Sequence, residues 1–279
     1  MQHFIEEFLV SHVAQLIVHK EMTGTIRKYF PPLYHLTLEE IKPLVIERWF
    51  HGIGQHSHAM ANKSLSILRT MFEKAKDWEL YDGDNPARRV KKYPKKERER
   101  FVTIDEMPAL QAALQREDEP IQCYFLLCLL VGCRRGEALT LQWEHLDVQR
   151  SVWTKPETKT GRSHVVPVPA LLMHRIQALP RRNEWVFASR RGHMSVSLIY
   201  EYWMRIRNAA CLDDVTIHDL RRTCASWLSM HGENMAIIAT GVLNHTTLAN
   251  TGVYARLQVS PVATALEANS RRMLPLKAV

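Results

Sequence analysis

The sequence predicts a mainly α fold with a small antiparallel sheet, arranged as a helical N-terminal domain followed by a larger mixed α/β domain. Three observations carry that expectation. Apolar residues recur at helical spacing through the first ninety positions, with no strand-like alternation. A turn-rich and then strongly basic stretch interrupts the pattern between residues 82 and 100. Beyond it, an almost wholly apolar segment is followed by a short run of alternating residues.

Taken in order, Phe4, Phe8, Leu9, Val13, Leu16 and Ile17 mark a first helical face, and Leu65, Leu68, Met71, Phe72 and Ala75 mark another. Between them, Thr37-Leu-Glu-Glu40 has capping-box spacing ahead of Ile41, Leu44 and Val45. Asp82-Gly-Asp-Asn-Pro86 is dense in turn residues. Residues 88–100 then hold eight basic and two acidic side chains around Pro94, a pattern expected of a solvated linker that can also track phosphates. Thr103-Ile-Asp-Glu106 reads as a helix start leading into Leu110, Ala113 and Leu114. Ile121 to Val131 reads as a buried helix, and strands are expected from about Val152 to Val168 with Gly161 at a turn. Helical spacing resumes near Leu198. Leu220 to Leu243 reads as helix, turn, helix, and Val262 and Leu266 mark a short tail helix.

Composition narrows the class. A chain of 279 residues fits two domains, and 46% hydrophobic with 24% charged residues is enough for a sizeable core. Thirty-seven Lys and Arg against 29 Asp and Glu give a formal charge of +8, which favours a polyanionic partner. No apolar run approaches the ~20 residues that span a bilayer, and glutamates precede the first apolar stretch, unlike a secretory leader. Cys123, Cys128 and Cys133 share one apolar segment without CxxC spacing, so the five cysteines read as buried thiols of a cytoplasmic protein. His51, His56 and His58 lack a fixed ligand spacing and read as solvated or DNA-facing rather than metal-binding.

Five segments hold polar groups that invite a chemical reading: Gly132-Cys-Arg-Arg-Gly-Glu-Ala-Leu139, Glu157-Thr-Lys-Thr-Gly-Arg162, His218-Asp-Leu-Arg-Arg-Thr223, Leu243-Asn-His245 and Val253-Tyr-Ala-Arg256. His218 and Arg221, at i and i+3, share one helical face and can converge on one anion, whereas Arg222 points elsewhere, to solvent or backbone. The order Arg134, Lys159, His218-x-x-Arg221, His245, Tyr254 resembles the active-site series of the tyrosine recombinases, the phage-integrase family, and the resemblance covers nearly the whole chain. Asp84-Asn-Pro-Ala-Arg88 before the basic run is similar to the domain junction of integrases from prophages and genomic islands, and Asn244 stands where many relatives have Gly.

The resemblance implies an N-terminal helical core-binding (SAM-like) domain over residues 1–90, a basic linker over 91–101, and a mixed α/β tyrosine-recombinase catalytic domain over 102–279 that ends in the tail helix. No separate arm-binding domain is read ahead of the first. It further implies double-stranded DNA with attachment-type sites as substrate, a homo-tetramer on DNA held through the tail, and accessory DNA-bending or directionality factors. No membrane role is expected.

The residue types suit that chemistry. Arg134 and Arg221 supply permanent charge and planar forks for phosphate oxygens. His218 and His245 offer hydrogen bonds, with His218 also the base for Tyr254, whose phenol ordinarily ionises near ~10. Lys159 is assigned to protonate the departing 5′ oxygen, with Lys155 as its rival. One ester replaces another, so neither ATP nor a metal is expected as cofactor, and there is no phosphate-binding glycine loop. A type IB topoisomerase-like enzyme, an inactivated DNA-binding regulator and a metal-dependent nuclease are the competing readings.

Overall fold

The computed structural model describes residues 1–16, 19–94, 99–156, 163–190, 192–231, 233–234, 236–243 and 259–274. The chain divides into two compact units, Met1–Arg98 and Glu99–Val279.

The first unit is helical: α1 (Gln2–Ser11), α2 (His19–Tyr29), α3 (Pro43–Gly54) and α4 (His58–Asp77), with short 3-10 turns between and after them. Its core contains the α4 stripe Leu65, Leu68, Met71, Phe72 and Ala75, packed with Phe8, Phe30 and Phe50. The apolar series that begins at Phe4 is broken, because α1 ends at Ser11 and a 3-10 turn carries Val13. The Thr37 signature is hydrogen-bonded as its spacing requires, with the Thr37 amide donating to Glu40 Oε2 at 2.8 Å and the Glu40 amide to Thr37 Oγ1 at 3.3 Å. It closes only a turn. The helix starts later because Pro43 holds Lys42 extended and itself suits the first helical position. Ile41 is buried ahead of it, and Leu44 is exposed.

The basic run departs from a solvated linker in its first half. Arg69 on α4 donates to the carbonyls of Ala87 (3.0 Å) and Val90 (2.6 Å), and Val90 is buried. Asn62 bonds both the amide and the carbonyl of Tyr93, each at 2.9 Å. The Tyr93 ring stacks on Phe50 and on His58, and its hydroxyl shares a 2.7 Å hydrogen bond with His51. A Cβ at Gly54 would strike that ring, so the small residue is what lets it seat. Apolar and aromatic residues inside a charged run are what hold it to the helix, while Lys91 and Lys92 stay exposed.

The second unit begins with α5 (Met107–Leu114), α6 (Glu119–Leu130) and α7 (Arg135–Leu139). α6 is apolar on nearly every side and sits in the middle of the core, as such a helix must. A three-stranded antiparallel sheet follows: β1 (Leu146–Asp147), β2 (Val152–Lys155) and β3 (His164–Pro167), in that order. Trp153 pairs with Val166 and Lys155 with His164. Then come α8 (Ala170–Gln177), a small hairpin of β4 (Ala188–Ser189) and β5 (Gly192–His193), α9 (Val196–Ala209) and α10 (Ile217–Met230). β1, β4 and β5, two residues each, are too short to show alternation in the sequence.

After α10, the expected second helix is a π-helical turn, Ile237–Val242, and α11 spans Val259–Met273. Cys224 and Leu228 of α10, Ile238 and Val242 of the turn, and Val262 and Leu266 of α11 form a separate apolar cluster. The tail helix therefore packs on its own unit here. Gly241 permits the approach, since a Cβ there would lie 2.5 Å from Val262. Four of the five cysteines are buried as expected, but Cys211, just past α9, is exposed. Among the described residues, no helix is long and apolar enough to cross a membrane.

Candidate active site

The loop between α6 and α7 turns at Gly132 with φ +66°, a conformation that favours glycine, and delivers Arg134 as the capping residue of α7. The Arg134 side chain is 46% exposed and donates from Nη1 to Glu137 Oε1 at 2.7 Å. Glu137 Oε2 accepts the Arg134 amide at 3.0 Å and the Lys155 ammonium at 2.8 Å. Burial alone would raise the Glu137 carboxyl; Lys155 and Arg134 more than reverse this and hold it at about 2.

α10 supplies the second group. Its start is fixed by reciprocal bonding between Thr216 and Asp219, whose Oδ2 accepts the Thr216 amide at 2.8 Å. Arg221 is buried, and its guanidinium donates to the carbonyls of Gly132 (2.5 Å) and Leu243. One side chain thus ties the loop bearing Arg134 to the stretch that precedes His245. His218, three residues earlier and on the same face, is held below its ordinary pKa by burial and by the charges of Arg222, Arg221 and Arg134. Burial and Arg134 likewise depress Arg221. Arg134, His218 and Arg221 therefore lie within one another's fields, as an anion site requires.

Arg222 differs from its expected solvent or backbone contact: it donates to Asp219 Oδ1 at 2.6 Å, neutralising a carboxylate with no exposed surface. Lys155 is buried, paired with Glu137, and its ammonium sits 4.5 Å from the Trp153 ring centre. Lys159, His245 and Tyr254 lie outside the described residues. Sequence reasoning gave Glu137 no role, although its i+3 spacing from Arg134 is the signal that would have found it. It also passed over His164, half-buried beside Lys155 and held near pKa 4 by burial and by the Lys155 charge.

The integrase of Escherichia phage P2 is 26% identical over 271 residues, covering 96% of this chain and 73% of the relative. A shufflon-specific DNA recombinase of Escherichia coli is 26% identical over 214 residues, and the match covers 75% of this chain and 53% of that protein. A lambda integrase dimer bound to a COC′ core site has a TM-score of 0.66 at 19% identity, covering 84% of this chain and 91% of that one. A lambda integrase tetramer on a Holliday junction gives 0.67 at 18% identity, covering 83% and 70%. At such identities the structures speak to fold, and they place it with the tyrosine recombinases. The profile described as "Phage integrase family" matches residues 100–260, more than half of the sequence, a span that includes Arg134, His218 and Arg221. The chain belongs to the phage integrase family, the tyrosine-type site-specific recombinases.

Proposed function

We propose that the chain cleaves and rejoins double-stranded DNA at attachment-type sites through a 3′-phosphotyrosine intermediate, integrating or excising a mobile element. The observation that carries this is the convergence of Arg134, Arg221 and His218, with Arg221 bonded to the carbonyls of Gly132 and Leu243. A phosphodiester entering there meets two cations, one exposed and one buried. Tyr254 Oη attacks phosphorus and the P–O5′ bond breaks. His218, kept neutral at pH 7 by its surroundings, takes the phenolic proton. Lys159 gives a proton to the departing O5′, leaving a free 5′-hydroxyl, and His245 donates to a non-bridging oxygen. Loss of a single preorganised donor of this kind costs about 3–4 kcal/mol in the transition state.

The unit Met1–Arg98 is read as the core-binding domain and Glu99–Val279 as the catalytic domain, working as a tetramer on DNA in the cytoplasm with accessory DNA-bending or directionality factors. The tetrameric lambda integrase on a Holliday junction supports the assembly. The test is covalent capture: incubate the chain with nicked random-sequence duplexes, quench with detergent, and sequence the DNA that stays protein-linked. The wild type yields one enriched core sequence, with or without chelator, and Tyr254→Phe yields none. An adduct formed by Tyr254→Phe refutes the nucleophile, and loss on chelation points to a metal nuclease. Absence of any adduct favours a DNA-binding regulator, and relaxation of plasmids lacking the core sequence favours a topoisomerase.

A further inference from the structure

Lys155 sits on the wrong side of its strand for a solvated lysine. Along β2, Trp153 and Lys155 face inward while Thr154 faces out, and the Lys155 side chain is only 5% exposed. A buried ammonium is costly unless paired and bonded. Its partner is Glu137, one turn into α7, and the Trp153 ring covers it from another side. Glu137 has its own second commitment, since it bonds both the guanidinium and the amide of Arg134. One carboxylate is thereby shared between a buried cation and an exposed one.

That sharing matters for phosphate. An exposed Arg–Glu pair alone is weak and loosely ordered. With Lys155 drawing on Oε2, Glu137 is fixed in place yet only partly neutralises Arg134. Without Lys155, the carboxylate is free to swing and close on the guanidinium with both oxygens, competing with the phosphate for the same fork.

Resting on the recombinase reading, we propose that Lys155 is a positioning residue: it pins Glu137 so that Glu137 orients Arg134 toward the scissile phosphate without consuming its charge. This takes Lys155 out of the competition for proton donor and gives it a separate task at the end of β2.

The experiment uses the full chain and the core duplex recovered by covalent capture, prepared with three scissile linkages. These are the ordinary phosphodiester, a methylphosphonate that lacks the non-bridging negative charge, and a 5′-bridging phosphorothiolate whose thiolate departs without a proton. Adduct formation by Lys155→Met falls about 100-fold below wild type on the phosphodiester, the scale of a misplaced reacting group. On the methylphosphonate the deficit shrinks to a few-fold, as it does for Arg134→Ala. On the phosphorothiolate the deficit persists, whereas Lys159→Ala is rescued there. Rescue of Lys155→Met by the phosphorothiolate makes Lys155 a proton donor and overturns the proposal; so does an equal deficit on all three linkages, the mark of a merely structural role. Should Lys155→Met fail to fold, Glu137→Gln must show the same three-substrate pattern, and any other pattern is equally fatal. A wild type that forms no adduct defeats the recombinase reading itself, whereas an active wild type with an unimpaired Lys155→Met defeats only this inference.

Discussion

Thr223 offers the sharpest test of how α10 is seated. Its Oγ1 accepts the Val102 amide at 2.9 Å and donates to the Asp219 carbonyl at 2.7 Å. Trp227, one turn on, donates from Nε1 to the Val102 carbonyl at 2.9 Å. Both polar groups of one backbone residue are thus held by a single helix, and Val102 and Thr223 have no exposed surface. Thr223→Val keeps the shape but leaves the Val102 N–H without a partner where water does not reach. Such an orphaned donor costs about 1–3 kcal/mol, which for a unit of this size lowers Tm by about 2–10 °C. Thr223→Ser, which retains the acceptor, recovers most of that loss. Thermal melts followed by circular dichroism read the Tm, and hydrogen exchange reads the Val102 amide, which speeds up by about tenfold for each 1.4 kcal/mol lost. If Thr223→Val melts within a degree of the wild type and its Val102 amide exchanges no faster, the reasoning is wrong.

Two further outcomes are expected. Gly132→Ala forces a side chain into a left-handed turn with its Cβ 3.2 Å from Val242 and 3.3 Å from Cys224. It loses about 1–2 kcal/mol from conformation alone, visible as a lowered denaturation midpoint, and slows adduct formation because Arg134 follows two residues later. His164 has a folded-state pKa near 4, against an ordinary 6.5, so its contribution to stability is complete above pH 6.5 and is lost as pH falls toward 4. That loss amounts to at most about 3 kcal/mol, and His164→Gln flattens this part of the pH profile in urea titrations; an unchanged profile counts against the assignment.

The helical faces were legible because burial in each unit follows the 3.6-residue period: every apolar residue expected on α4 is in the core. The family was legible from the order of the polar segments, Arg134 before His218-x-x-Arg221, within the stretch that the family model matches. Interactions that depend on distant partners were not. Nothing near Tyr93 in the sequence announces that Asn62 and His58 receive it, so a run that looks solvated by charge is half fixed by its one aromatic side chain. Lys155 reads as a polar residue in a strand, and its inward direction has meaning only once Glu137 stands opposite it. The turn at Thr37 shows the reverse: a local signature forms as written, but Pro43 decides where the helix begins.

The exposure of Cys211 beside four sheltered thiols has a practical consequence. Burial pushes Cys123 and Cys224 up to about 12, and a hydrogen bond with Cys133 together with burial raises Cys128 well above the ordinary range, leaving almost no thiolate on these three at neutral pH. A maleimide dye added briefly to the folded protein therefore marks one position, between α9 and α10, with no cysteine removed by mutagenesis. Fluorophores on successive copies of the unaltered chain then report, through energy transfer, how many gather on one duplex and when they part.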